Sequence, residues 1–338
     1  MTVTIRDLAK KLNLSITQVS RALGGYNDVS KATREKVIAA AREMGYEPSY
    51  AARQLRRRRA DAIGYILPTS SPRFSDPFYA NFLTGLCDEA AEHQMDLVVS
   101  SCPPDSNQEK SLYQHWFQST RVDGMIINRV RLFDWRVQYL AENRMPFITL
   151  GQPENQDEFP FIKVAERSGF EKLVLHLREK GHNRIAFIGG PAELMVVVER
   201  FGGYRQGLLA AGLELDNRLI IHSELTEEGG YEAARSLLAM SNPPTAILGC
   251  NDLIAIGALH AAKETGRKVG VDFAIAGYDG IHESAFTDPP LTTLSQPTYE
   301  IARKMVKILI GVINQPTSYY PRLVLEPKLI LRESTEAQ

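Results

Sequence analysis

Apolar residues in the first 46 positions recur at intervals of three and four: Ile5, Leu8, Ala9 and Leu12, then Val19, Ala22 and Leu23, then Val37, Ile38, Ala41 and Met44. That is the period of helices with one buried face. Each run opens on a residue suited to capping: Thr4 with Asp7 three positions on, Ser15 with Gln18 in the S-x-x-Q pattern, and Ser30. Leu12-Asn13-Leu14 separates the first two runs, Gly24-Gly25 ends the second, and Gly45 followed by Tyr46-Glu47-Pro48 ends the third. The pattern predicts three short helices, the first two joined by a tight turn. Small Ala9 lets those two cross closely over Leu8, Val19 and Leu23.

From Ala62 onward the pattern changes to short apolar runs separated by longer helical stretches. The runs are Ile63–Leu67, Leu97–Val99, Met125–Ile127, Phe147–Leu150, Ile185–Ile188, Ala246–Leu248 and Phe273–Ala276. Such alternation predicts parallel sheets covered by helices. Two doubly wound α/β lobes would leave a cleft at the strand C-terminal ends, where open α/β sheets bind ligands.

Charge divides the chain at the same place. The whole carries 39 basic and 40 acidic residues, yet residues 1–60 hold 13 basic against 5 acidic ones. Only this segment suits a polyanion, and counterion release favours DNA as its partner. In a helix-turn-helix the start of the second helix enters the major groove, which makes Ile16, Thr17 and Arg21 the candidate base readers. Arg21 can grip a guanine edge with two hydrogen bonds. Hydroxyls of Thr4, Ser20, Ser30 and Thr33 are candidates for phosphate contacts, although Thr4 and Ser30 serve equally as helix caps.

Other chemistry is thin. Cys87, Cys102 and Cys250 are widely spaced with no CxxC pair, and the seven histidines form no metal-spaced pair, so neither a metal nor a cofactor is called for. No phosphate loop or G-x-S-x-G elbow is present, which argues against an enzyme. Cys250 beside Asn251-Asp252 reads as a small buried residue more readily than as a nucleophile, because no general base accompanies it. The start Met1-Thr2-Val3-Thr4 lacks a basic, then apolar, leader, and no apolar run is long enough to span a membrane. A cytoplasmic protein is expected, which also disfavours an exported transport protein.

The N-terminal residues Thr4-Ile5-Arg6-Asp7-Leu8-Ala9, Leu14-Ser15, Val19-Ser20-Arg21, Val29-Ser30, Thr33-Arg34 and Gly45-Tyr46 together resemble the lactose/galactose repressor (LacI) family. The resemblance continues to about residue 331 through Gly181-His182, Arg200, Gly203-Tyr204, Asn251-Asp252, Gly277-Tyr278-Asp279 and Pro290-Leu291-Thr292-Thr293. It implies a headpiece at 1–46, a hinge helix and basic linker at 47–60, and an effector-binding and dimerisation domain at 61–333. That domain would be periplasmic-binding-protein-like, with one lobe at about 61–158 and 290–318 and the other at about 159–289 and 319–333, joined by three crossovers. In the hinge, Leu55 takes the position of the minor-groove wedge, with Ala52 permitting close helix approach. Arg56 and Arg57 of the run Arg56–Arg59 are expected to meet phosphates.

The resemblance further implies a homodimeric repressor whose affinity for double-stranded operator DNA responds to a small effector, a mono- or disaccharide. Whether that effector releases or recruits DNA binding stays open. The final residues Ser334–Gln338 carry no heptad tail, so the expected assembly is a dimer rather than a coiled-coil tetramer.

Effector candidates sit at strand ends. Asp252 is the strongest, since a carboxylate accepts two sugar hydroxyls, with Asn251 before it; its other reading is a cap for the following helix. Phe78 and Tyr79, expected in the loop after the first strand, suit either a stacked sugar ring or the core. Asn128, Arg129, Arg200, Tyr278 and Asp279 complete the set, with Glu199 and Arg200 pairing either with ligand or with each other. The chain departs from the family pattern at Val164-Ala165, where relatives carry Asp-Asn and a polar contact is expected to be lost. It departs again at Val198 and Leu225, and the apolar stretch Val196–Val198 is expected to form one wall of the site.

Overall fold

The computed structural model describes residues 3–24, 26–46, 59–69, 76–154, 158–315 and 320–336. They fall into two compact units, divided between Ala60 and Asp61.

The first unit contains helices α1 (Ile5–Leu12), α2 (Ile16–Leu23) and α3 (Lys31–Met44) around Leu8, Ala9, Val19, Ala22, Val37, Ala40 and Ala41. Its caps are the ones the sequence announces. Thr4 and Asp7 form a reciprocal capping box on α1, Ser15 and Gln18 form another on α2, and Ser30 accepts from the Thr33 amide to cap α3. Gly45, at φ 64°, ends α3 in the left-handed region that glycine enters without a Cβ penalty. Ile38 departs from the expected core: its side chain is exposed, and Ala40 takes the buried place instead. The closely packed face of α3 is thus built from small residues.

The second unit is built on two six-stranded sheets. In the first lobe, β1 (Ala62–Pro68), β2 (Asp96–Cys102), β3 (Gly124–Ile127), β4 (Phe147–Leu150), β5 (Phe161–Val164) and β11 (Arg322–Leu325) run in the order β11-β5-β4-β3-β1-β2. All neighbours in it are parallel. Helices α4 (Pro77–Glu92), α5 (Asn107–Gln118) and α6 (Trp135–Glu142) lie between its strands in sequence, and α11 (Thr298–Asn314) returns to pack on α4, β3 and β4.

In the second lobe, β6 (Ile185–Gly189), β7 (Ile220–His222), β8 (Ala246–Gly249), β9 (Ala274–Asp279), β10 (Thr292–Ser295) and β12 (Lys328–Ile330) run in the order β12-β10-β9-β8-β6-β7. Only β12 is antiparallel to its neighbour. Helix α7 (Glu166–Glu179) packs on α8 (Met195–Ala210), and α9 (Glu227–Leu238) on α10 (Asp252–Glu264). The second pair approaches so closely that a Cβ on Gly257 would collide with the Glu227 carbonyl.

The chain crosses between lobes at Ala165, at Gln296–Pro297 and at Glu326–Pro327. These crossings move the lobe boundaries drawn from the sequence. Strands β5 and β11 belong to the first lobe, and β10 to the second, because hydrogen bonding to β4 and β5, or to β9, decides membership. All seven apolar runs are strands, whereas β5, β7, β10, β11 and β12 are three- or four-residue elements without such a run.

Candidate functional site

On the first unit, Ile16 and Thr17 open α2 with exposed side chains, and Arg21 lies one turn on. The Arg21 guanidinium is already engaged: it pairs with Asp28 and lies 4.8 Å from the centroid of the Tyr26 ring. Thr4 and Ser30 are caps, and the Thr33 hydroxyl lies 2.8 Å from that of Ser30. Ser20 is half-buried on α2. Ala52, Leu55, Arg56 and Arg57 lie outside the described residues.

Between the two lobes of the second unit is a cleft of about 290 Å³. Of the residues expected there, Phe78, Tyr79, Asn128, Arg129, Arg200, Asn251 and Asp279 line it. Phe78 and Tyr79 are not in a loop; they form the first turn of α4, which Asp76 caps through the Phe78 amide. Phe78 stacks on Phe82 at 5.7 Å and meets Tyr79 edge-on at 5.3 Å, while Tyr79 is buried with Arg129 over its ring. The Asn128 amide is 2% exposed and neither Oδ1 nor Nδ2 completes a hydrogen bond of normal geometry, although the Tyr79 hydroxyl is near. A buried amide left in that condition is costly unless something entering the cleft pairs with it.

Across the cleft, the Arg200 guanidinium is sandwiched by its own lobe. It donates to the Cys250 carbonyl at 2.7 Å and to Asp279 at 3.4 Å, and lies 3.7 Å from the Tyr278 ring centroid. It does not pair with Glu199, which instead binds Arg167 at 3.0 Å. Asp279 also accepts from Gln296 Nε2 at 2.7 Å, and burial lifts its carboxyl to about 6 despite the Arg200 charge. Asn251 uses Oδ1 to cap α10 through the Ile254 amide, so its carboxamide nitrogen is the end left to other partners.

Two expected residues do not reach the cleft. Asp252 is fully buried, accepting from the Thr293 hydroxyl at 2.6 Å and from the Ile281 amide at 2.9 Å. It is neither a ligand contact nor the helix cap, which is Asn251; it ties the start of α10 to the β9–β10 connection and to β10. Burial and the nearby Asp279 charge push its carboxyl up to about 8. Tyr278 is buried between Phe170 and Arg200, its ring stacked on Phe170 at 5.8 Å. Both side chains point inward from segments that do border the cleft, and strand-end position alone does not distinguish the two directions. Cys250 is buried and its thiol is raised by burial, the opposite of an activated nucleophile.

The sequence reasoning passed over several lining residues. Asp76, Gln152, Lys163, Glu166 and Gln296 add polar groups, and Met195, Val130 and Leu150 add apolar surface beside Val196 and Leu225, which the sequence marks. The expected apolar wall is therefore there in part: Val196 lines the cleft, but Val197 is buried beneath it and Val198 is not on its surface. At the Val164-Ala165 departure neither residue lines the cleft, while the next one, Glu166 at the start of α7, brings a carboxyl to it. Burial raises its carboxyl to about 7, opposed by the Arg200 charge. The available signal was a carboxylate directly beside the Val164-Ala165 departure, where a polar contact is expected from the family pattern.

Two family models match the chain: that for bacterial regulatory proteins of the lacI family over residues 4–49, and that for a periplasmic binding protein-like domain over 174–335. The transcriptional regulator AglR of Rhizobium meliloti is 34% identical, covering 99% of this chain and 95% of the relative. The repressor CytR of Escherichia coli K12 is also 34% identical, over 99% and 96%. The chain belongs to the lacI family of bacterial regulatory proteins. Among solved structures, a complex of the regulator CelR with cellobiose is 31% identical with a TM-score of 0.77, covering 98% of this chain and 99% of that one. The lac repressor dimer bound to operator and the anti-inducer ONPF is 26% identical with a TM-score of 0.86, covering both chains fully at 100%. Membership in the lacI family makes the helix-turn-helix unit that of a transcriptional regulator, and sets aside the enzyme and the transport protein. Among the described residues no helix is long and apolar enough to cross a membrane, and no cluster of His, Cys, Asp and Glu could hold a metal ion.

Proposed function

We propose that this lacI-family regulator is a cytoplasmic, homodimeric repressor whose grip on a palindromic operator is set by a mono- or disaccharide bound between its lobes. The observation that carries the effector class is the composition of the cleft. Its lining combines the Phe78 ring and the apolar side chains of Met195, Val196 and Leu225 with the polar groups of Asn128, Glu166, Asp279 and Gln296. Apolar surface together with carboxylate and amide groups in one cleft matches a ring with apolar faces and hydroxyl edges. The basic groups Arg129, Lys163 and Arg200 share the lining with the acids Asp76, Glu154, Glu166, Glu199 and Asp279, and Arg200 already donates to Asp279 while Arg129 lies 3.8 Å from Asp76. An anionic effector is thereby disfavoured. The relative solved with cellobiose agrees with this class.

For DNA, Ile16, Thr17 and Arg21 read bases, Thr4 and Ser30 approach phosphates while keeping their capping bonds, and Ser20 and Thr33 approach phosphates beside them. Residues 47–60 supply the hinge and linker, with Leu55 and Ala52 at the minor groove and Arg56 and Arg57 on phosphates. A thermal-shift series of mono- and disaccharides, cellobiose included, with nucleosides and sugar phosphates as the comparison, tests the effector class. A neutral sugar should raise the melting temperature and change operator affinity in a gel-shift titration. Stabilisation by nucleosides or phosphates alone would overturn the proposal.

A further inference from the structure

The three covalent crossovers gather at one side of the lobes, beside the edge pairs β11-β5 and β12-β10. Farther across the sheets the lobes are joined a fourth time, without a covalent link. The segment after β3 meets the segment ahead of α8 in antiparallel register, with Arg131 opposite Leu194. The Met195 amide donates to the Val130 carbonyl at 2.8 Å, and the Leu132 amide donates to the Glu193 carbonyl at 2.8 Å. Strands β3 and β6, which feed these segments, lie three and four strands in from β11 and β12.

The first-lobe half of this junction is held from beneath by an ionic network. Arg136, fully buried, donates Nε and Nη2 to Asp134 at 2.8 and 2.6 Å and reaches Glu109 with Nη1 at 3.5 Å. Its Nη2 also donates to the carbonyls of Asn128 and Arg129, at 3.3 and 3.0 Å. Arg131 pairs with Glu109 at 3.0 Å and Asp105 at 3.2 Å, and Asp134 Oδ2 accepts from the Arg131 amide at 3.1 Å. Arg129 sits at φ 45°, a left-handed conformation that the network stabilises against its intrinsic cost. Burying so many charges seldom stabilises a fold relative to apolar packing. What this network does is fix the path of the backbone from Asn128 to Asp134.

We propose that the paired segments Val130–Leu132 and Glu193–Met195 are a main-chain latch that holds the lobes closed over the cleft, with Arg136 as the positioning residue for its first-lobe half. The crossovers act as the hinge and the latch closes the other side. Both halves also line the cleft, through Arg129 and Val130 on one lobe and Met195 and Val196 on the other. A ligand that fits within the closed volume strengthens the latch, and a larger one parts it. This holds whatever the effector's chemistry.

Met195→Pro isolates the latch. Met195 is the first residue of α8, where proline is tolerated, and Leu194 before it is already extended at φ −79°, ψ 126°. The substitution removes the N–H and sets a ring carbon against the Val130 carbonyl, while Met195→Ala removes only the side chain. Amide-resolved hydrogen exchange on the full-length protein alone reads the outcome at Leu132, a half-buried residue on the other lobe. Leu132 should be protected in the wild type and in Met195→Ala, and should exchange about tenfold faster in Met195→Pro, the equivalent of one lost hydrogen bond. Arg136→Lys, which keeps the charge but not the fork, should also release Leu132. An unprotected Leu132 amide in the wild type, or equal exchange in the two Met195 variants, overturns the latch. Unchanged Leu132 exchange in Arg136→Lys overturns the role of Arg136. Because neither sugar nor DNA is present, the result does not depend on the effector assignment.

Discussion

The hydroxyl of Thr293 donates a 2.6 Å hydrogen bond to Oδ1 of Asp252, joining β10 to the first residue of α10 across 41 positions of sequence. With the Ile281 amide on Oδ2, this carboxyl fastens together three segments of the second lobe. Asp252→Ala should therefore lower stability by about 2–5 kcal/mol, since it strands two buried donors, and should leave the cleft surface chemically unchanged. The sign of the pH effect follows from the raised pKa. Folding holds on this acid a proton that the unfolded chain releases near 3.8, up to about 8. Its contribution to stability is thus fully present at low pH and is lost as pH rises between those values. Asp252→Asn, the neutral analogue, should remove that slope in chemical denaturation. An unchanged slope would show that the carboxyl is ionised in the folded chain.

Glu166 should make effector binding depend on pH near neutrality. Its carboxyl titrates at about 7 in the cleft, and an ionised carboxylate accepts sugar hydroxyls more strongly than a protonated one. Affinity for a neutral sugar should rise as pH increases from 6 to 8, and Glu166→Gln should flatten the profile. Isothermal titration at three pH values checks this, and a wild-type profile as flat as that of Glu166→Gln counts against it.

Arg21 must leave Asp28 before it can grip a base. Arg21→Ala should cost about 1–3 kcal/mol at one operator base pair and relax the preference there. Asp28→Asn should act in the opposite direction, tightening binding about two- to fivefold by releasing an exposed ion pair and removing a negative charge from the DNA-reading unit. Equal weakening by Arg21→Ala on every sequence in a gel-shift panel would make it a phosphate contact instead.

What the sequence discloses depends on whether a residue's role is local. The three caps at Thr4, Ser15 and Ser30 are legible because cap, helix start and partner lie within three residues, and the structure forms each as written. Apolar strands such as Ile63–Leu67 are legible because they are covered on both faces. Strands such as β5 and β11 owe their place to pairing across some 160 residues, and a four-residue run such as Phe161–Val164 announces neither its lobe nor its crossover. The site divides in the same way. Asn128, Arg129 and Asp279 follow from the rule that ligands meet strand ends. The rule fails at Asp252 and Tyr278, whose side chains turn inward to distant Thr293 and Phe170. It also passes over Glu166 and Gln296, which reach the cleft from interlobe crossovers instead of from the strands themselves.

Phe78 and Tyr79 were equivalent candidates in sequence, but the structure separates their roles, and that separation predicts different variants. Tyr79 is buried, with Arg129 over its ring, so its face is already used. Phe78 is half-buried in the cleft wall, stacked on Phe82 behind it, and offers the remaining apolar surface to the ligand. Phe78→Ala should lower sugar affinity about tenfold, because ring contacts contribute ~0.5–1.5 kcal/mol beyond the area they bury. It should shift the melting temperature only by what a partly exposed ring contributes. Tyr79→Phe should have little effect on either property unless its hydroxyl orients the Asn128 amide, whereas Tyr79→Ala should cost stability first, by opening a cavity beside Phe82 and Tyr65. Phe78→Trp should retain binding, since stacking tolerates a larger ring where a shape-filling role would not. Titrating the best sugar of the thermal-shift series against these four variants checks the assignment, and full affinity in Phe78→Ala would remove the aromatic platform from the site.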